Sequence, residues 1–162
     1  MSLFNNLKEF LGFEKSQKDD IINKTSNREY GKWLLEKPLI GYKKIECKCK
    51  ENKDIWGDFV ATVEVPEKTY VIAPKYNSKE LRTSEYKIKD IEKEGKKRHY
   101  EMSNVPDKLT RDESIPCRSK WDLDFKYDVG KTYKSHRFDK YEQDTIEPGL
   151  YFYLNFRDAY NY

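Results

Sequence analysis

Three cysteines and two histidines are the side chains in this chain with the most obvious capacity for chemistry. Cys47 and Cys49 form a C-x-C pair, and on a strand both would point the same way, about 7 Å apart by strand rise. A zinc site takes about four ligands, commonly from C-x2–4-C knuckles, so Cys117, His99 or His136 would have to complete one. Two buried strand thiols are the simpler reading, and neither a metal nor a cofactor is expected. His136 lies in K-S-H-R-F-D with Asp139 three residues on, and could serve as a general base. No recognisable nucleophile accompanies it: there is no G-x-S-x-G, no H-E-x-x-H and no P-loop. An enzyme with an unrecognised site near His136 is the third functional reading, since such sites are defined by geometry.

Aromatic residues offer a second kind of site. Tyr151-Phe152-Tyr153, with Tyr127, Tyr133, Arg137 and Arg157 nearby in sequence, could form a stacking platform for single-stranded nucleic acid. That function needs the rings exposed beside a basic groove, and it fails if Tyr151 and Tyr153 are buried beneath a helix. Core packing is the competing reading. The charge balance favours the latter. With 32 basic and 29 acidic residues the net charge is only +3, and acidic residues interrupt clusters such as Lys96-Lys97-Arg98.

The elements that must position these groups belong to a folded domain. A charged fraction of 38% and a mean hydropathy of -1.04 would suit disorder, but 15% aromatic residues would not. Thirteen Tyr, eight Phe and three Trp can bury enough area to build a core with few aliphatics. A length of 162 residues suits one domain. The odd cysteine count, with no signal peptide and no long apolar segment, predicts an intracellular protein with reduced thiols and no membrane partner.

Along the chain, Leu3, Phe4, Leu7, Phe10 and Leu11 make an apolar stripe at helical spacing, with Ser2 as N-cap and Gly12 as stop. It would dock on its own domain, join a second copy or enter a partner's groove. Glu14–Thr25 reads as a polar linker, and Ser26–Glu36 as a short helix with Tyr30, Trp33 and Leu34 facing inward. From Leu39 the period becomes two. Ile45, Cys47 and Cys49 share a face, the turn at 51–54 follows, and Phe59, Ala61, Val63 and Val65 share a face of the next strand, so the pair predicts a hairpin. Residues 69–74 form a third run, 77–83 read as turn, and Tyr86, Ile88 and Ile91 mark a further strand. Residues 93–120 predict a long surface excursion with one strand at most, and Lys96, Lys97 and Arg98 within it are candidate contacts for a partner.

In the last third, Asp128 and Gly130 flank a turn and Lys131-Thr-Tyr resumes extended structure. Leu150–Leu154 is apolar or aromatic on both faces, as a central strand is, and Asn155 is placed to cap a helix with Phe156, Ala159 and Tyr160 on one side. The succession F-K-Y-D-V-G-K-T-Y, a spacer, then E-P-G-L-Y-F-Y-L-N-F-R-D-A-Y-N-Y resembles a small viral domain family of unknown function. Its members occur in bacteriophages and large DNA viruses, often beside pentapeptide repeats. An upstream half, Gly41-Tyr-Lys-Lys and then Val63–Pro66, is similar more loosely. Tyr151 stands where the family often has His, and the spacer lacks the family's Cys. The resemblance implies a viral origin and a mixed sheet with a C-terminal helix; it implies no activity.

The resulting expectation is an α+β protein: an N-terminal amphipathic helix and linker over 1–25, and a single domain over 26–162 with a mostly antiparallel sheet and a short C-terminal helix. The expected function is that of a small viral accessory protein, non-enzymatic, binding a host or viral protein in the host cytoplasm. Homo-oligomerisation through the N-terminal helix is a further route, and nucleic-acid binding is the runner-up.

Overall fold

A computed structural model describes residues 16–74, 79–93, 110–140 and 149–161. The Leu3–Leu11 stripe and the Lys96-Lys97-Arg98 cluster lie outside the described residues. Two helices and ten strands occur among those described, and every strand pairing is antiparallel. The α+β architecture with a short C-terminal helix is as expected, but the sheet is antiparallel where the family resemblance implies a mixed one.

The first departure is at the start. Where polarity suggests a linker, helix α1 spans Gln17–Ser26. Its Ser16 side chain accepts from the Asp19 amide at 3.1 Å, and Asp19 accepts from the Ser16 amide at 3.3 Å, which satisfies two otherwise orphaned groups. Asp19 and Asp20 in the first turn and Lys24 in the last complement the helix dipole. Only Ile21 and Thr25, one turn apart, are buried, so the apolar face is too narrow to stand out in the sequence.

The second departure is a consequence of the first. Ser26 ends α1 rather than capping a new helix, and strand β1 occupies Gly31–Leu34. A helix would turn Trp33 and Leu34 inward together. The strand separates them: Trp33 is buried and Leu34 is 48% exposed. The Trp33 indole donates to Asp20 of α1 at 2.9 Å and ties the helix to the sheet.

The middle of the chain matches its pattern. Strands β2 (Leu39–Lys48) and β3 (Trp56–Val65) pair in one unbroken register from Leu39↔Val65 to Lys48↔Trp56. Strand β4 (Tyr70–Ala73) pairs with β1. Strand β5 (Glu80–Thr83) stands where part of a turn is expected, while β6 (Glu85–Lys93) is the strand foreseen there. The polar look of Glu80-Leu-Arg-Thr hides the strand because Arg82, wholly buried, occupies an inner position. The Phe138 ring lies 5.0 Å from its guanidinium carbon, and the Asp139 carbonyl accepts from its Nη1 at 3.1 Å.

Two short strands, β7 (Cys117–Arg118) and β8 (Lys126–Tyr127), pair with each other, and β9 (Thr132–Lys134) lies at the edge beside β6. Strand β10 (Leu150–Tyr153), near the end of the chain, sits centrally between β5 and β2. The order is therefore β1-β4-β5-β10-β2-β3-β6-β9, with β7 and β8 attached to β2. The α+β fold closes with helix α2 (Phe156–Tyr160), capped by Asn155, whose side chain accepts from the Arg157 amide at 2.8 Å.

One sheet face carries the main core, including Trp33, Leu39, Ile45, Phe59, Val63, Leu81, Ile88 and Phe152. The other face carries a smaller cluster in which Val60 and Tyr153 meet Phe156 and Ala159 of α2. Burying a side chain such as Phe152 contributes about 1.5–3 kcal/mol. Its ring lies directly over Gly41, where a Cβ would come within 2.3 Å of it and 2.9 Å of the Tyr153 carbonyl. Gly41→Ala is therefore expected to destabilise the fold by about 1–3 kcal/mol, read as a lower urea midpoint. An unchanged midpoint would contradict this packing.

Candidate interaction surface

The feature that pattern reading misses is the β7–β8 hairpin and its loop, Ser119–Phe125. Trp121 is 76% exposed and Leu123 is 52% exposed, the two highest values among the large apolar side chains described. Exposure of that size commonly marks a loose loop. Here the backbone is tightly bonded. The Ser119 hydroxyl accepts from the amides of Trp121 and Asp122, both at 3.2 Å. The Ser119 amide donates to the Phe125 carbonyl at 3.0 Å, and the Phe125 amide to the Asp122 carbonyl at 3.0 Å. Asp122 also accepts from the Asp124 amide at 3.1 Å, and Lys126 donates to the Leu123 carbonyl at 2.9 Å. These side-chain-to-backbone bonds are those that build turns.

Two anchors hold the hairpin. On one side Cys117 forms a disulfide with Cys47 of β2, across 70 residues of sequence. In the chain-entropy model, closing a loop of that length stabilises by about 4 kcal/mol. The expectation of reduced thiols is thus corrected. Cys47 and Cys49 do share a buried strand face, but Glu46↔Arg118 pairing brings Cys117 against Cys47, a contact no local spacing reveals. Cys49 stays outside the bond and is buried. Next to the disulfide, Arg118 donates to Glu46 at 3.0 Å and its guanidinium carbon lies 3.8 Å from the centre of the Trp56 ring.

On the other side the anchor is aromatic. Phe125 and Tyr127 pack on Tyr133 of β9 at centroid distances of 5.5 and 5.3 Å, and on each other at 5.0 Å. Tyr86 of β6 is fully buried in the same core. The Tyr133 hydroxyl accepts from the Asp128 amide at 2.7 Å, fixing the turn into β9. The hairpin therefore reaches from β2 to β9, with Trp121 and Leu123 turned outward at its tip.

Burial raises all three tyrosine hydroxyls: Tyr127 to about 12, Tyr86 well above its ordinary value, and Tyr133 upward despite the Asp128 bond. The sign follows from the neutral phenol being the form the fold prefers. Below pH about 10 both folded and unfolded chains hold the proton and this contribution is complete; above it the unfolded chain ionises first. Stability should fall as pH rises from about 10 towards 12, by roughly 3 kcal/mol from Tyr127 alone. Phenolate absorbance and circular dichroism recorded together should show late-titrating tyrosines ionising with unfolding. Ionisation of every tyrosine at the ordinary value, with the fold intact, would contradict the cluster.

The other sequence-predicted residues fall in two places. His136 and Asp139 are exposed and line an open cleft of about 510 Å³ with Tyr70, Ser84, Arg137, Phe138 and Lys140. Tyr151 and Tyr153 do not join them. Tyr153 is buried, donates to Glu80 at 2.8 Å and packs in the α2 cluster, while Tyr151 is half-buried and its carbonyl accepts from Lys43 at 3.2 Å. Tyr153 is therefore not open to stacking, because it packs against α2. Burial, partly offset by Tyr153 and Lys43, raises the Glu80 carboxyl, and burial lowers the Lys43 ammonium against the opposing pull of Glu80. Among the described residues no three His, Cys, Asp or Glu side chains gather as a metal site, and no helix is long and apolar enough to cross a membrane.

A family model described as a family of unknown function, DUF5758, matches residues 23–159. The chain belongs to this family. The DUF5758 match takes in every described strand, both disulfide cysteines and the Trp121 loop, and ends within α2. No curated protein matches the chain, and no solved structure does.

Proposed function

We propose that the chain is a small accessory protein that acts by binding another protein, without catalysis, and that the Trp121 hairpin makes the contact. The observation that carries this reading is a tryptophan 76% exposed at the tip of a doubly anchored, hydrogen-bonded loop. A rigid loop loses little conformational entropy on binding, and tryptophan is among the residues most enriched at the hot spots of protein interfaces. Asp122 and Asp124 alternate with Trp121 and Leu123 and are themselves exposed. With Lys120 and Lys126 flanking these aspartates, the tip suits a protein pocket with an apolar floor and a rim of mixed charge. The viral setting, with a host or viral protein as partner, is proposed from the resemblance of residues 125–162.

Capture from infected-cell lysate with wild type and Trp121→Ala tests the reading, followed by calorimetry with the purified partner. The substitution should weaken binding by about thirtyfold or more, a loss of about 2 kcal/mol, with the melting temperature unchanged. Equal affinity of the two chains would overturn the assignment.

A second reading rests on the cleft, which brings His136, Asp139, Ser84 and Tyr70 together. Turnover of an ester or phosphoester panel that vanishes in His136→Ala would favour it over binding.

A further inference from the structure

Building on the assignment of binding to the Trp121 hairpin, we propose that the Cys47–Cys117 disulfide governs whether that hairpin is docked. Binding then responds to the thiol–disulfide state of the surroundings. Strand β7 has only two residues, and one Cα pair, Glu46↔Arg118, joins it to β2. The other side-chain attachments on that side include the Arg118–Glu46 pair, with both side chains 22% exposed, the Lys120–Asp58 pair at 3.1 Å, and Arg118 and Lys126 over the Trp56 ring. Ion pairs so placed are weak, and a cation over a ring adds modestly. The covalent bond is thus the strongest single contact on the sheet side of the hairpin. Once it is cut, the hairpin keeps its aromatic anchor on β9 and, on the sheet side, only these non-covalent contacts.

The neighbouring thiol cannot take over. Cys49 follows Cys47 by two residues on one strand face, about 7 Å away by strand rise, whereas a disulfide needs Cβ atoms about 4 Å apart. Reduction therefore requires an external dithiol. Its thiolate attacks one sulfur of the pair, the S–S bond breaks, and a mixed disulfide forms on that cysteine while the other leaves as thiolate. The dithiol's second thiolate then resolves the mixed disulfide. Cys47 and Cys117 end as thiols, each with a proton, and the two electrons come from the dithiol, which becomes a disulfide. Cys47 and Cys117 are 1% and 0% exposed, so attack follows a local opening of the hairpin.

The test is hydrogen exchange on the full chain before and after treatment with dithiothreitol, beside thiol counting in denaturant. The oxidised chain should show one titratable thiol and the reduced chain three. On reduction the amides of Ser119 to Phe125 should exchange about tenfold faster or more while β2 and β3 keep their protection. Cys47→Ser combined with Cys117→Ser should mimic the reduced chain with or without dithiothreitol, and Cys49→Ser should behave as wild type. Three thiols in the air-oxidised protein, an unchanged hairpin on reduction, or loss of protection across the whole sheet would each overturn the proposal. None of these readouts involves a partner, so failure here leaves the Trp121 assignment standing. Conversely, a responsive hairpin with unaltered capture by Trp121→Ala removes the binding assignment and not the docking.

Discussion

The ten-residue ladder between β2 and β3 is the constraint on which the rest depends. Its register places Ile45, Cys47 and Cys49 on the same face as Phe59, Ala61 and Val63, and that face becomes the main core. A slip of one residue would turn all of them outward, so burial of the apolar set enforces the register. The consequences run in sequence. Cys47 faces inward where it meets Cys117; Tyr42 and Lys44 face the opposite way, where Tyr42 meets Phe156 at 5.7 Å and Lys44 donates to the Tyr160 carbonyl at 2.9 Å. One ladder thus fixes the seat of the hairpin on one side and of α2 on the other.

The parts of the fold legible in the sequence are those whose pattern is local. The β2–β3 hairpin shows clean alternation and a polar turn, and the last strand and helix show an apolar run followed by an Asn cap. Two departures share one cause: polar side chains hold the structure where the pattern suggests loop. Ser16 and Asp19 build a helix cap inside a stretch that looks like linker, and Arg82 lies buried in a strand that looks like turn. Near Trp33 the ambiguity is one of period: short windows around Tyr30–Leu35 fit a helix and a strand alike, and pairing with β4 decides between them.

The candidate site is less legible than the fold. Trp121, Leu123, Phe125 and Tyr127 alternate, which suggests four side chains on one buried face. The Ser119 turn breaks that continuity, so the first two point to solvent and the last two to the core. Ser119 and Asp122 are the available local signals, being turn formers beside a tryptophan. The anchor has no local signal, since the Cys47–Cys117 bond spans 70 residues. His136 and Asp139 are brought to one cleft as their spacing allows, and neither Tyr151 nor Tyr153 lines it.

The central claim is that the Trp121 ring is largely exposed on a rigidly bonded loop. Fluorine resonance of the chain carrying fluorotryptophan reports both properties without altering the fold, with Trp121→Phe assigning its line among the three tryptophans. A large solvent-isotope shift for Trp121, together with relaxation matching tumbling of the whole domain, is the predicted result. A small shift, meaning a covered ring, or fast local reorientation, meaning a loose loop, would contradict the account.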